Sequence, residues 1–284
     1  MASIASALER NTIVTALWLK RNPIGDVGAS HLASMLATNS TLQVLDLVNT
    51  AVGDAGVTTL FAALASNPNS ALEHLYLGSS GLTSLSAKAA GEYLSTGKSK
   101  LRSLFMSMSR LGDSGATYLA EGLKKQDSIQ RLGLSSALIG DAGAIALTDA
   151  LKGKESLMVL DLGWRRGTLE LGEEGNVISN VGALYIAEHL LPTLRDLDLS
   201  ENLMTFDGVS RFVDEHAETS TSILSLKVRQ RMGTGRKNIE AQKRAVTICK
   251  RNTSKIAKPE LREMERVLYP KHVKDIYSIY RGNM

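Results

Sequence analysis

The sequence predicts an α/β horseshoe, a solenoid of about eight strand–helix units with a parallel sheet on the concave face and helices on the convex face. Three observations predict it. A segment of the form L-x-x-L-x-L recurs, a Gly-Asp loop follows several of its copies, and apolar residues at helical spacing follow the loop. The middle leucines of the segment, spaced by 28, 30, 29, 28, 28, 37 and 29 residues, are Leu17, Leu45, Leu75, Leu104, Leu132, Leu160, Leu197 and Leu226.

The loop after the strand is the clearest part of the repeat. Four copies align: "NPIGDVGASHLASML" from Asn22, "TAVGDAGVTTLFAAL" from Thr50, "SRLGDSGATYLAEGL" from Ser109 and "ALIGDAGAIALTDAL" from Ala137. The third copy contains Gly-Asp-Ser-Gly, which looks like the loop of the nucleophilic serine in trypsin-like proteases. The sister copies hold valine or alanine in place of Ser114, so the position does not require a hydroxyl. We expect no catalytic serine here.

Each residue of this loop has a structural role. Gly112 suits a turn conformation that is closed to other residues. The aspartate that follows is placed to cap the next helix by accepting hydrogen bonds from its unpaired amides. The second glycine allows adjacent helices to approach closely at their starts. The four aspartates are Asp26, Asp54, Asp113 and Asp141. Each unit is therefore a short strand, a tight turn and a helix.

The full pattern L-x-x-L-x-L-x-x-N-x-I-G-D-x-G-A-x-x-L-A-x-x-L resembles the leucine-rich repeats of the ribonuclease-inhibitor type. Similar repeats occur in NOD-like receptors, in the Ran GTPase-activating protein and, more loosely, in tropomodulin. The resemblance covers roughly residues 1–250. It implies a curved solenoid whose concave face commonly binds protein, and it is specific for the fold rather than for any one function.

Departures from the family pattern mark individual units. The asparagine expected after the strand stands only at Asn22 and Asn202, so we expect a weaker hydrogen-bonded ladder between them. The third unit has "LTSLSAKA" instead of the Gly-Asp loop, and the chain opens inside a repeat. Either the first helix shields that end or the chain is a piece of something longer. The residues that replace the asparagine are Thr50, Ser80, Ser109, Ala137 and Arg165.

The strand residues between the consensus leucines are expected to point to the concave surface. Three aromatic residues cluster in the first four units, acidic residues in units six and seven, and basic residues at the end. These positions are the candidate protein-binding site, because exposed aromatic residues are enriched at interaction hot spots. The alternative is that the aromatic residues pack on each other or lie in a shifted register. The candidates are Trp18, Lys20, Asp46, His74, Tyr76, Phe105, Arg131, Asp161, Asp196, Asp198, Lys227 and Arg229.

An insertion distinguishes the sixth unit. The stretch "WRRGTLELGEEGNV" (164–177) carries about nine extra residues before the loop resumes, as judged from the longest repeat spacing. Insertions in a solenoid map to one edge and often carry function. A contact site and a tolerated surface loop are equally compatible with this composition. The candidate contact residues are Trp164, Arg165, Arg166, Glu173 and Glu174.

The C-terminal part of the chain is basic. Residues 223–284 hold 16 Lys and Arg against 5 Asp and Glu, whereas the preceding 222 residues hold 17 against 24. Residues 251–284 are expected to form a basic helical cap or tail, since a solenoid must cover its open apolar end. Competing roles are a docking helix and a surface for nucleic acid or anionic membrane. Two apolar stripes run along these helices: Leu261, Met264, Val267 and Leu268, then Val273, Ile276, Tyr277 and Tyr280.

Other chemistry is sparse. Cys249 is the single cysteine, so no intramolecular disulfide forms. We therefore expect an intracellular, cytoplasmic protein. The alternative is an effector that is secreted into a host cell. The Asn-x-Ser/Thr matches at Asn39 and Asn252 are then chance. The histidines and the cysteine lack metal-ligand spacing. We expect no cofactor, no metal and no catalytic activity, and a monomer.

Three functions fit the sequence. The first is a non-catalytic interaction module or scaffold that binds a protein ligand on its concave face. The second is a GTPase activator or regulator that resembles the Ran type, although the acidic tail of that family is missing here. The third is recruitment to nucleic acid or anionic membrane through residues 223–284. The first is the prediction, because the repeat and the outward aromatic residues both favour it.

Overall fold

Eight short strands form one parallel sheet in the order of the sequence. The computed structural model describes residues 1–164, 174–189, 194–231, 236–268 and 270. The middle leucines pair along the whole sheet, from Leu17 with Leu45 to Leu197 with Leu226. The predicted α/β solenoid, with its strands in that register, is confirmed.

A helix follows each of the eight strands. The strands are β1 (Ala16–Trp18), β2 (Val44–Asp46), β3 (His74–Tyr76), β4 (Ser103–Phe105), β5 (Arg131–Gly133), β6 (Val159–Asp161), β7 (Asp196–Asp198) and β8 (Ser225–Lys227). The helices are α1 (Ala2–Leu8), α2 (Gly25–Leu36), α3 (Gly53–Ser66), α4 (Ser84–Ser95), α5 (Gly112–Leu123), α6 (Asp141–Leu151), α7 (Asn180–Glu188), α8 (Phe206–Arg211), α9 (Arg236–Ser254) and α10 (Lys258–Leu268). A short π-helical turn, Phe212–His216, continues α8.

The core lies between the sheet and the layer of helices α2 to α8. One continuous cluster of buried side chains runs from Ala5 in α1 to Cys249 in α9. The consensus leucines of the strands fill one side of it and the apolar positions of the helices, such as Leu32 and Leu119, fill the other. We call the sheet face turned away from the helices the concave face.

Helices α4 and α5 approach each other at two glycines. A Cβ added at Gly91 would collide with the carbonyl oxygen of Tyr118, and one added at Gly122 would collide with the carbonyl oxygen of Gly91. The close approach predicted at the helix starts also holds, because a Cβ at Gly56 would lie 2.7 Å from the Cβ of Ala29.

The asparagine of the sixth unit is Asn176, which corrects the assignment of that position to Arg165. The Asn176 side chain is buried; it accepts from the amides of Ala137 and Ile139 and donates to the carbonyls of Leu134 and Leu162. The insertion lies between the strand and its asparagine. The strand-to-asparagine spacing of the other repeats therefore gives a residue that precedes the true position. Counting back from α7 places Asn176 opposite Ala137.

Hydroxyl groups occupy this position in units two to four. Thr50 donates to the carbonyl of Leu47 at 2.6 Å, and Ser80 donates to the same carbonyl at 2.9 Å. Ser109 reaches only the carbonyl of Ser107, at 3.3 Å. A hydroxyl has one donor where an amide has two, so the ladder has fewer side-chain bonds in these units than around Asn176.

Three of the four loop aspartates, Asp54, Asp113 and Asp141, cap helices, but each caps the helix of the following repeat. Asp54 lies in the first turn of α3 and accepts from the amides of Thr83 and Ser86, at the start of α4. Asp113 accepts from Gly140 and Gly143 at the start of α6, and Asp141 from Ser179 and Gly182 at the start of α7, all between 2.7 and 3.0 Å. The aspartate already lies inside its own helix, so its side chain reaches the neighbouring helix instead.

Each of these aspartates accepts from two amides, and this arrangement explains why the residue that carries the second amide has a small side chain or none. A Cβ at Gly143 would lie 2.7 Å from Oδ1 of Asp113, and one at Gly182 would lie 2.6 Å from Oδ1 of Asp141. The positive φ predicted for the first loop glycine is found at Gly25, Gly53 and Gly112. Gly140 instead has extended backbone, which turns its amide toward Asp113.

Helix α9 covers the C-terminal end of the stack. Ala241, Ala245 and Ile248 are buried and join the core. Ion pairs from Arg244 to Asp214 and from Arg251 to Glu218 hold the helix on the last repeat. At the other end, Ala5 and Leu8 of α1 complete the core. Asn39 and Asn252 are both buried, as expected of chance glycosylation matches.

The capping by Asp54 predicts a pH-dependent stability. Burial acts to raise the pKa of this carboxyl, but hydrogen bonds from Ser86 and Thr83 outweigh it and hold the pKa below its ordinary value. A depressed folded pKa gives a stabilising contribution that is present above the unfolded pKa of about 3.9 and is lost as the pH falls through the folded pKa. We expect Asp54→Asn to lower the free energy of unfolding by about 1 kcal/mol at neutral pH, because both carboxylate oxygens accept hydrogen bonds and an amide keeps only one acceptor oxygen.

Urea unfolding at pH 7 and pH 3 measures the difference in free energy of unfolding between the wild-type protein and Asp54→Asn. This difference should be smaller at pH 3. The control is Asp26→Asn, because Asp26 accepts only from the adjacent Val27 amide among the described contacts. A difference for Asp54→Asn that is the same at both pH values would contradict the assignment.

Candidate protein-binding surface

The concave face begins with an exposed tryptophan. Trp18, the last residue of β1, is 42% exposed, and Ile13 just before the strand is 83% exposed. Lys20 is half-buried, and Asp46 on the next strand is buried, with its carboxylate accepting from the Val48 amide at 2.9 Å. Burial lowers the pKa of Lys20 and raises that of Asp46, and the attraction between the two charges opposes both shifts.

The other two aromatic residues are on the predicted face but are not exposed there. Tyr76 and Phe105 are 3% and 8% exposed, and their ring centroids lie 5.2 Å apart. They form a small apolar cluster with Val44 and Val48, separate from the main core. Phe105 lies over Gly133 of the next strand, where a Cβ would collide with its ring. The glycine leaves room for the ring to fold onto the sheet, so the expected exposure holds for Trp18 and not for these two.

A buried polar network joins units three to five. Ser103 Oγ lies 2.9 Å from His74 Nδ1 and accepts from Arg131 Nε at 2.8 Å. Arg131 Nη2 lies 3.1 Å from the same histidine nitrogen. Because an arginine only donates, Nδ1 is the acceptor, which assigns the histidine proton to Nε2, 3.8 Å from a carboxylate oxygen of Glu73. The sequence placed His74 and Arg131 on this face but did not indicate their contact.

The acidic residues of units six and seven lie beside a lysine. Asp161 and Asp196 are buried, and Asp198 is half-buried and bonded to Lys227 at 2.9 Å. Burial acts to lower the pKa of Lys227, but Asp198, Asp196 and Asp161 together raise it. Lys227 therefore stays charged and offsets part of the negative charge. Among the described residues, no group of three or more histidine, cysteine, aspartate or glutamate side chains is arranged for a metal ion.

The edge next to the insertion holds a second tryptophan. Trp164 is half-buried, and the guanidinium of Arg231 stacks 5.3 Å from its ring centroid. Arg229 pairs with Glu201 on the same side. Glu174 is exposed. Arg165, Arg166 and Glu173, the other candidate contacts of the insertion, lie outside the described residues.

Part of the basic C-terminal charge is paired within the protein. Lys227, Arg229, Arg244 and Arg251 each contact a carboxylate of the repeat body. The second apolar stripe, residues 273–280, lies outside the described residues. No helix in the described part of the chain is long and apolar enough to span a bilayer.

Helix α10 lies against the concave face, a contact that the sequence did not predict. Arg131 of β5 donates through Nη1 to the carbonyl of Val267 in the last turn of α10. Burial lowers the pKa of Arg195, the residue before β7, and the charge of Glu260 in the first turn of α10 opposes that shift. The apolar stripe alone, without this docking geometry, could be found in the sequence.

A family model agrees with the repeat in the first part of the chain. Residues 10–33 and 38–61 match the family model described as leucine-rich repeat. No curated protein sequence matches the chain. The chain is similar to a structure of leiomodin-1 actin-binding site 2, at 15% identity and a TM-score of 0.48, over 62% of this chain and 95% of the other.

Two further solved structures are more distant. The tropomodulin C-terminal domain of Caenorhabditis elegans is 10% identical with a TM-score of 0.34, over 93% of this chain and 98% of the other. A chain from an octameric complex of latrophilin 3, Unc5D and the LRR of FLRT2 is 15% identical with a TM-score of 0.32, over 79% of this chain and 86% of the other.

Proposed function

We propose, from the premise that this chain is a leucine-rich repeat protein, that it is a non-catalytic interaction module that binds a protein through the first units of its concave face. The exposure of Trp18 carries the proposal. Among the described strand residues it is the one large apolar side chain left exposed. Tryptophan is the residue type most enriched at binding hot spots, because one side chain supplies a large apolar area and a hydrogen-bond donor.

The surroundings of Trp18 suit a protein partner. Ile13 extends the apolar area, and the half-buried Lys20 places a cation beside it. The network of buried side chains on β2 to β5 gives this end of the face a rigid base. A partner of matching chemistry presents an apolar pocket for the indole and an acceptor for its N–H.

Substitution of Trp18 tests this surface. We expect Trp18→Ala to reduce the recovery of protein partners about tenfold or more in quantitative affinity purification, since losing a hot-spot side chain costs about 2 kcal/mol. The substitution should leave the circular dichroism spectrum and the urea midpoint nearly unchanged, because the indole is far from full burial.

The matched control is Tyr118→Ala on α5. Tyr118 is 41% exposed, almost the same as Trp18, but belongs to the layer of helices. The control should retain every partner. Equal recovery with wild type and Trp18→Ala, or equal loss with both variants, would exclude the first units of the concave face as the binding surface.

A further inference from the structure

Helix α10 crosses the strands of the concave face. Two residues of α10, seven positions apart, mark its course: Val267 contacts Arg131 of β5, and the charge of Glu260 acts against the lowering of the Arg195 pKa by burial. At about 1.5 Å per residue they are about 10 Å apart along the axis. The strands they reach, β7 and β5, are two positions apart in the sheet, which is also about 10 Å. The helix therefore runs back along the stack, from unit seven toward unit five.

One side of α10 is turned away from solvent. Leu261, Met264 and Val267 are half-buried, and Leu268 is 4% exposed. The residues between them are exposed: Arg262, Glu263, Glu265 and Arg266. Leu268 belongs to neither buried apolar cluster of the repeat body. The packing of the repeat core therefore does not account for its burial.

Arg131 is held in position to receive the end of a helix. Its side chain is buried and oriented by Ser103 and His74, and Nη1 points at the Val267 carbonyl. The last carbonyls of a helix lack partners within the helix and carry the negative end of its dipole. This contact is chemically suited to any helix that ends at the same place.

We propose that the concave face over β5 to β7 is a binding site for an amphipathic helix, and that α10 occupies it in cis. A partner helix with the same apolar stripe binds there only after α10 has left. A helix of 11 residues is marginal on its own. Detaching α10 therefore leaves it unfolded and leaves the repeat core intact. This site is separate from Trp18, so either proposal can fail without the other.

The probe is a fluorescent synthetic peptide with the sequence of residues 256–268, added to the full-length protein and followed by anisotropy. Wild type should bind it weakly, because the tethered α10 competes at an effective concentration in the millimolar range. The variant Leu261→Asp with Met264→Asp breaks the stripe of the protein's own α10. We expect it to bind the wild-type peptide at least about tenfold more tightly, a difference of about 1.4 kcal/mol. The surface control, Arg262→Ala with Glu265→Ala, should behave as wild type.

Two further measurements test the contact between Arg131 and the end of the bound helix. Adding Arg131→Gln to the released variant should weaken peptide binding about tenfold or more. A peptide shortened to residues 256–266 should lose binding to the released variant without any change in the protein. The inference is wrong if the released variant binds no more tightly than wild type, or if the shortened peptide binds as well as the full one.

Discussion

Replacing Asn176 with alanine should destabilise the protein by about 4 kcal/mol, since four buried backbone groups lose a partner and each such loss costs about 1–3 kcal/mol before relaxation. The side chain joins the amides of Ala137 and Ile139 to the carbonyls of Leu134 and Leu162, so it connects the fifth and sixth units on both sides of the insertion. Urea unfolding followed by circular dichroism measures the change.

Asn22→Ala is the matched control at the same repeat position. Asn22 is exposed and bonds only the carbonyls of Leu19 and Lys20 among the described contacts. We expect it to cost about 1 kcal/mol. If the two variants lose the same free energy, or if Asn176→Ala loses less than about 0.5 kcal/mol as an ordinary surface residue would, then Asn176 is a loop residue and the sixth unit is closed in another way.

Gly91→Ala should also destabilise the protein, by about 2 kcal/mol, in the direction opposite to helix propensity. In an unconstrained helix the same change stabilises by about 0.5–1 kcal/mol. Here the new methyl group meets the Tyr118 carbonyl oxygen, which belongs to backbone and cannot rotate away. Helices α4 and α5 must move apart, and overpacking of this kind costs about 1–3 kcal/mol, which exceeds the propensity gain.

Thermal and urea unfolding of Gly91→Ala show whether the substitution lowers or raises the free energy of unfolding. Ser95→Ala, at the exposed end of α4, provides the control and should change the free energy of unfolding by less than about 0.5 kcal/mol. A stabilised Gly91→Ala variant would mean that α4 and α5 are farther apart than the Gly91–Tyr118 contact places them.

The repeat period allowed the fold and its strands to be predicted from the sequence. The middle leucines alone predicted the register of all eight strands. The period failed at the insertion, where counting from the strand gave Arg165 instead of Asn176. It also could not show which helix each aspartate caps, because that depends on the distance between neighbouring helices and not on their order in the chain.

The candidate surface was predicted by position but not by exposure. Whether an outward aromatic side chain stays exposed depends on the residue beside it on the next strand. Phe105 is opposite Gly133 and folds over it. That pair was visible in the aligned sequence as a glycine at an outward position. The docking of α10 was not, since its stripe fits several apolar surfaces and Arg131 is more than one hundred residues away in the chain.

The caps that pass from one repeat to the next give the stack a direction. Asp54, Asp113 and Asp141 each cap a helix that follows them in the chain, so a shortened protein lacking its last units keeps these carboxylates for the helices that remain. Removing the first units takes a carboxylate away from helices that remain. Because ribosomes release the N-terminal part first, each of these carboxylates has already been synthesised when the amides that it binds emerge.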